Sequence, residues 1–132
     1  MKFLATFALL ATSVLAGDFG KTCSDEHIDP ATEVLTANCD TGDGKGTLNS
    51  ASLDLNTCLG FSSNKIQWAK QGNFGDACED CFAYRLPDPV YGIFGVTRVL
   101  MNCTCAGGPA ETSVNLDSTR ITNKFGTLAC MP

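Results

Sequence analysis

The sequence predicts an all-β, disulfide-stapled protein built from two copies of one structural unit. Three observations lead there. Four short blocks recur in the same order in both halves of the chain. Strand-length stretches alternate apolar and polar residues at period two, and no stretch carries a long helical period. Eight cysteines lie within 132 residues, behind a leader that directs them to an oxidising compartment.

The leader is read from residue types. Met1-Lys2 is a short basic start, Phe3 to Leu15 is apolar apart from Thr6, Thr12 and Ser13, and Val14-Leu15-Ala16 suits cleavage before Gly17. This pattern is a secretory signal peptide over residues 1–16. The apolar run is too short for a membrane anchor, which needs about 20 residues. The mature chain, residues 17–132, keeps all eight cysteines, and loss of Lys2 takes its net charge from -5 to -6. With 17% charged and 44% hydrophobic residues the chain is not disordered. Its length allows one compact domain or two very small ones that support each other. The acidic balance disfavours nucleic acid and anionic membranes as ligands, since neither gains counterion release here. A lone histidine, His27, leaves little room for a multi-histidine metal site.

The repeat orders the rest. Phe19-Gly20-Lys21-Thr22-Cys23 recurs as Phe74-Gly75-Asp76-Ala77-Cys78, an offset of 55. Leu35-Thr36-Ala37-Asn38-Cys39 matches Val99-Leu100-Met101-Asn102-Cys103 at 64, Ser52-Leu53-Asp54-Leu55-Asn56 matches Ser113-Val114-Asn115-Leu116-Asp117 at 61, and Ile66-Gln67-Trp68 matches Leu128-Ala129-Cys130 at 62. Repeat one runs from about 19 to 68 and repeat two from about 74 to 130. The jump in offset places an insertion in Leu86–Gly95, which is rich in turn formers. Strands are expected at Glu33–Ala37, Ser52–Asn56, Thr97–Met101 and Thr112–Asp117, with loops at Asp40–Gly46 and Ala106–Pro109. Ala69-Lys70-Gln71-Gly72 reads as a short polar hinge. A repeat of this size buries too little core alone, so the two must pack together.

These blocks, taken twice in order, resemble the cyanovirin-N homology domain over the whole mature chain, Phe19 to Cys130. The resemblance implies one domain over 17–132. Its fold would be an elongated pseudo-symmetric arrangement of two intertwined repeats, each a three-stranded sheet completed by a hairpin from the other. It also implies a secreted lectin that binds mannose-rich glycans or glycoproteins in shallow polar sites, without metal or other cofactor. The chain would be a monomer, with a domain-swapped dimer as the alternative if the hinge permits. Carried over by position, the first site comprises Lys21, Thr22, Asp40, Thr41, Gly42, Thr122, Asn123 and Lys124. There Phe125 stands in place of an acidic turn residue. The second, weaker site comprises Ser62, Ser63, Asn73, Asp76 and Thr104, beside Cys105. There Gly60 and Phe61 replace a Glu and an Asn, and Ala106 replaces a closing Arg. Gly-rich loops bearing Asp, Asn and Thr suit such chemistry, because each sugar hydroxyl bond contributes only about 1 kcal/mol and several must converge.

The repeat makes Cys23–Cys39 and Cys78–Cys103 the expected hairpin disulfides. The remaining four cysteines allow three connectivities. If Cys78 faces Cys103, simple antiparallel register opposes Cys81–Cys105. Cys58 falls just before the turn that, in the family this chain resembles, faces the strand carrying Cys105, which favours Cys58–Cys105 and leaves Cys81–Cys130. Other readings are weaker. Cys78-x-x-Cys81 with Cys103-x-Cys105 has zinc-like spacing, but secretion opposes it, and Cys78-Glu79-Asp80-Cys81 lacks a thioredoxin context. Asp54 and Asp117 read as turn caps rather than a glycosidase pair, and no Gly-x-Ser-x-Gly signature is present. His27 reads as a solvated loop residue and Trp68 as core. Asn102-Cys103-Thr104 is a formal glycosylation sequon in a poor strand position. The competing functional class is a secreted interaction, effector or cell-wall protein on the same scaffold that has lost sugar binding; a small secreted hydrolase is a distant third.

Overall fold

The computed structural model describes residues 17–106 and 111–131. The predicted signal peptide lies outside the described residues. Ten strands form two equivalent halves. In the first, β1 (Cys23–Ile28), β2 (Val34–Asp40) and β3 (Leu48–Asp54) make an antiparallel sheet, followed by the hairpin β4 (Leu59–Ser62) and β5 (Lys65–Trp68). In the second, β6 (Cys78–Pro87), β7 (Thr97–Cys105) and β8 (Thr112–Asn115) make the sheet, followed by the hairpin β9 (Ile121–Lys124) and β10 (Thr127–Cys130). The halves exchange hairpins: β10 packs against β3, and β5 packs against β8. This is the intertwined arrangement the family resemblance implied. No helix of the described residues is long and apolar enough to cross a membrane.

The core is the repeat made visible. Phe19 and Phe74, Leu35 and Met101, Leu55 and Leu116, Leu59 and Ile121, and Ile66 and Leu128 are all buried in one cluster. Each pair occupies equivalent places in the two halves, so neither half closes its core without the other. The Phe-Gly motif has a physical reason. Gly20 donates its N–H to Asp117 Oδ1 at 2.7 Å, and Gly75 donates to Asn56 Oδ1 at 2.8 Å. A Cβ on Gly20 would sit 2.7 Å from Asp117 Oδ2 and 2.8 Å from Val99 Cγ2, so only glycine fits. Arg85 on β6 stitches the sheets together, donating to Glu26 at 2.9 Å and to the carbonyl of Cys23 at 2.9 Å.

The disulfides correct the expected pairing. Cys23–Cys39 forms as expected, but Cys78 pairs with Cys105, Cys81 with Cys103, and Cys58 with Cys130. Cys78–Cys103, Cys58–Cys105 and Cys81–Cys130 are therefore all replaced. The counterpart of Cys39 is Cys105 rather than Cys103, and a β-bulge accounts for the pairing of Cys81. The β6–β7 register breaks between Glu79 and Phe82, as the β1–β2 register breaks between Ser24 and His27. Asp25 and Asp80 take left-handed backbone there (φ 56° and 55°), a conformation Asp tolerates better than most residues. The extra residue brings Cys81 to Cys103, with Cα atoms 4.2 Å apart. Cys78 then faces Cys105, the true counterpart of Cys39. All four cysteines weighed for zinc are thus disulfide-bonded.

Two further residues differ from expectation. Asp117 is not a turn cap equivalent to Asp54. Asp54 and Asn115 cap the helical turns Leu55–Thr57 and Leu116–Ser118, whereas Asp117 is buried and corresponds to Asn56. Its carboxylate accepts from Gly20 N and, at 2.9 Å, from Val99 N. Trp68 is only partly buried at the edge of the core, with the Arg120 guanidinium 6.0 Å from its ring centroid. Asn102, in the sequon, is buried and its Oδ1 accepts from Ser113 Oγ at 2.8 Å.

Burial raises the Asp117 carboxyl above its ordinary value, against the pull of its two N–H partners. The native state therefore keeps this proton to higher pH than the unfolded chain. The group's stability contribution falls as pH climbs from about 4, the unfolded value, through the folded one. Asp117→Asn removes that term and leaves Val99 N–H facing an amide donor. The variant should be less stable than the parent by about 1–3 kcal/mol, with the larger difference on the acid side. Urea unfolding across a pH series checks both the size and the sign.

Candidate functional site

One end of the molecule gathers three separate segments. Thr22 precedes β1, Asp40 ends β2, and Asn123 sits on β9, contributed by the other repeat. Asn123 links them: its Nδ2 donates to Thr22 Oγ1 and to the Asp40 carbonyl, each at 3.0 Å, and its Oδ1 accepts from Gly126 N at 2.8 Å. Both N–H donors and one of the two acceptor lone pairs of that amide fix the junction, which leaves one lone pair for a ligand. Asp40 N donates to the Thr22 carbonyl at 2.9 Å, which closes the same seam from the backbone side.

The loop after β2 is braced rather than loose. Gly42 N donates to Asp40 Oδ1 at 2.7 Å, Lys45 N to Asp43 Oδ1 at 2.8 Å, and Thr47 Oγ1 to the other Asp43 oxygen. The Thr47 hydroxyl first, then the Lys45 N–H, pulls the Asp43 carboxyl below its ordinary value. Asn49 on β3 donates to the Gly126 carbonyl at 2.7 Å, tying the β9–β10 turn to the sheet beneath. Phe125 tops that turn in left-handed backbone (φ 53°) and is 83% exposed. Its ring lies over Gly42, where a Cβ would meet Phe125 Cδ1 at 3.2 Å. Gly42 also has φ +80°, so a side chain there is excluded twice over.

Together these residues line an open cleft of about 510 Å³ formed by Thr22, Asp40, Gly42, Gly44, Asn123, Lys124 and Phe125. The structure thus brings together five of the eight residues predicted for the first site. Thr41 borders the cleft, its methyl against Gly126. Thr122 pairs with Ala129 inside the hairpin and is not among the lining residues. Lys21 turns to Asp18, at 3.9 Å, and lines a separate cleft with Asp88 and Tyr91. Gly44 and Phe125 join the lining beyond the predicted set. Phe125 was signalled by an aromatic at a hairpin tip, where burial cannot explain it.

The opposite end keeps the frame and loses the three polar side chains of the junction. Ala106 N donates to the Ala77 carbonyl at 2.8 Å, the equivalent of the Asp40–Thr22 bond. By register, Ala77 stands for Thr22, Ala106 for Asp40 and Phe61 for Asn123. A cleft of about 300 Å³ remains, lined by Asp76, Ala77, Glu79, Thr104 and Ala106 among others. Of the five residues predicted for the second site, only Asp76 and Thr104 reach it. Ser62 Oγ is taken by Gln67 Nε2, Ser63 lies in the β4–β5 turn in left-handed backbone, and Asn73 bridges to Gly60. Residues 107–110 of the adjoining loop are outside the described residues.

A family model described as the CVNH domain matches residues 19–129. Among solved structures, the Gibberella zeae CVNH protein is 24% identical with a TM-score of 0.67, covering 88% of this chain and 99% of that one. Microvirin, solved as a complex with mannobiose, is 25% identical with a TM-score of 0.58, covering 87% and 99%. A variant of MoCVNH3, solved in complex with (N-GlcNAc)4, is 20% identical with a TM-score of 0.65, covering 89% and 99%. No curated protein matches the chain.

Proposed function

The chain belongs to the CVNH domain family, and from that premise we propose that it is a secreted, non-enzymatic lectin that binds mannose-rich oligosaccharides in the cleft around Asn123. The observation that carries this reading is the asymmetry of the two ends. One end holds Thr22, Asp40 and Asn123 in a single hydrogen-bonded junction, and the other carries Ala77, Ala106 and Phe61 on the same backbone frame. Polar groups that converge on an open cleft suit vicinal sugar hydroxyls. Mannobiose on microvirin supports a mannose-type ligand, and (N-GlcNAc)4 on the MoCVNH3 variant makes chitin oligosaccharides the comparison to run. Residues 1–16 support secretion. One site per chain means that tight attachment to a glycoprotein would depend on several copies acting together.

A glycan array with the oxidised mature protein tests the reading. Binding confined to mannose-terminated oligosaccharides supports it, binding to GlcNAc oligomers alone moves the specificity, and a blank array rejects it. Phe125 offers its ring as an apolar platform for a pyranose face. Phe125→Ala should weaken binding by about 0.5–1.5 kcal/mol, roughly 2- to 12-fold, without loss of stability; titration calorimetry beside a thermal melt separates the two.

A second reading has its own observation. The inserted β6–β7 loop displays Ile93 at 86% and Phe94 at 76% exposure, with Val90 and Tyr91 beside them. Asp88 braces it, accepting from Val90 N and Tyr91 N at 2.8 and 2.9 Å and pairing with Arg98 at 2.7 Å. The Tyr91 N–H first, then Arg98, draws the Asp88 carboxyl down to about 2, so this brace holds across ordinary pH. A rigid apolar loop of this kind suits protein contact, and it takes the lead if no glycan binds.

A further inference from the structure

We propose that the seam between the two repeats holds a second binding site, for an amphipathic organic anion, independent of the carbohydrate cleft. The hinge between β5 and β6 and the last strand enclose a cleft of about 620 Å³, lined by Thr57, Trp68, Lys70, Arg120, Cys130 and Met131 among others. That volume lies within the roughly 300–1,000 Å³ common for small-molecule sites. The walls are preformed. Ala69 N donates to the Cys58 carbonyl at 2.9 Å and Gln71 N to the Thr57 carbonyl at 3.0 Å, while Met131 N donates to the Arg120 carbonyl at 3.0 Å. The Cys58–Cys130 disulfide joins the two repeats at this cleft.

Its chemistry is unlike that of the sugar cleft. Trp68, Met131 and Cys130 give an apolar wall, and two cations, Arg120 and Lys70, line it with no carboxylate among the described lining residues. Arg85 and Arg98 are both paired with carboxylates. Among the described residues, Arg120 forms no ion pair and instead lies over the Trp68 ring. In a chain of net charge -5, two cations that form no ion pair among the described residues and line an apolar cleft select a negative group. A charge partner gains more in a half-enclosed site than on open surface, because less water screens it. The ligand class that satisfies both features is a carboxylate on an aromatic or aliphatic body. The acid group would meet Arg120 and Lys70, and the body would lie along Trp68 and Met131. A neutral sugar would use neither cation.

The chain supplies its own reporter, because Trp68 is its single tryptophan. Tryptophan-selective emission of the oxidised mature protein is followed while hydrocinnamate, decanoate or hydrocinnamyl alcohol is added. Hydrocinnamate and decanoate separate an aromatic from an aliphatic body, and the alcohol removes only the charge. The expected result is a saturable change with one or both acids and about tenfold or weaker affinity for the alcohol, as loss of one charged hydrogen bond implies. Arg120→Gln should bring acid affinity down toward that of the alcohol. Lys70→Gln, at an exposed position outside the core, should do so in part and guards against a folding defect at Arg120. Mannose oligosaccharide binding should stay unchanged in both, which keeps failure here distinct from failure of the lectin reading. No saturable response to either acid, or equal affinity for acid and alcohol, overturns the proposal.

Discussion

Asn123→Ala combined with Asp40→Ala is expected to abolish measurable oligosaccharide binding. Among the described residues, the Asn123 side chain alone hydrogen-bonds across all three segments of the cleft, through Thr22 Oγ1, the Asp40 carbonyl and Gly126 N. Truncating it leaves those groups unpaired and frees the β9–β10 turn that carries Lys124 and Phe125. Asp40 adds a carboxylate at the rim and fixes Gly42 N. Loss of two polar partners costs about 2–3 kcal/mol, a factor of roughly 30–150. In a shallow, weak site that is the whole signal. Titration calorimetry with a mannose oligosaccharide checks it, with Asp76→Ala as the control that should bind like the parent. If the double variant binds as well as the parent, Asn123 does not organise the site.

Removing the Cys58–Cys130 bridge should cause the largest loss of stability of any disulfide deletion here. It spans 72 residues, against 16 for Cys23–Cys39. In the chain-entropy model the longer loop contributes about 4 kcal/mol and the shorter about 3. It is also the one bridge that joins repeat one to repeat two, so it holds the exchanged β9–β10 hairpin against the partner sheet. Cys58→Ala with Cys130→Ala should lower the guanidinium midpoint more than Cys23→Ala with Cys39→Ala. Amide exchange should rise first in β10 and in the hinge Ala69–Gly72. Equal losses for the two double variants would show that chain entropy does not set the order.

Much of the fold was legible because each repeated block does the same physical work twice. Phe19 and Phe74 fill equivalent core positions beside a glycine whose N–H bonds Asp117 or Asn56 at such close approach that no Cβ fits. The disulfides were less legible for a reason that lies in two residues. Counting along an antiparallel pair assumes one residue faces one, and the bulges at Asp25 and Asp80 break that count. A signal for them was present: Cys23-Ser24-Asp25 and Cys78-Glu79-Asp80 both place Asp two residues after the cysteine. Because both repeats carry it, the bulge leaves their offset unchanged: it explains Cys81 against Cys103, while the Cys78 error came from matching Cys39 to Cys103 instead of Cys105. Asp117 was misread because it shares a letter with Asp54 while standing in register with Asn56. At the site, Thr22, Asp40 and Asn123 followed from the family resemblance, carried over position by position. Lys21 did not, because the side chain of a residue next to a helical turn takes its direction from local partners, here Asp18. Trp68 was assigned to the core from its apolar strand. Its ring is instead partly buried with the Arg120 guanidinium over it, 52 residues further along the chain, and no local pattern carries that.

The most direct measurement is amide chemical-shift mapping on the oxidised mature protein as a mannose oligosaccharide is added. The predicted result is a saturable set of shifts at Thr22, Asp40 to Gly44 and Asn123 to Gly126, with Asp76, Ala77 and Thr104 unmoved. Shifts centred on Asp76 and Thr104, or none anywhere at millimolar sugar, would contradict a lectin whose working site is the Asn123 cleft.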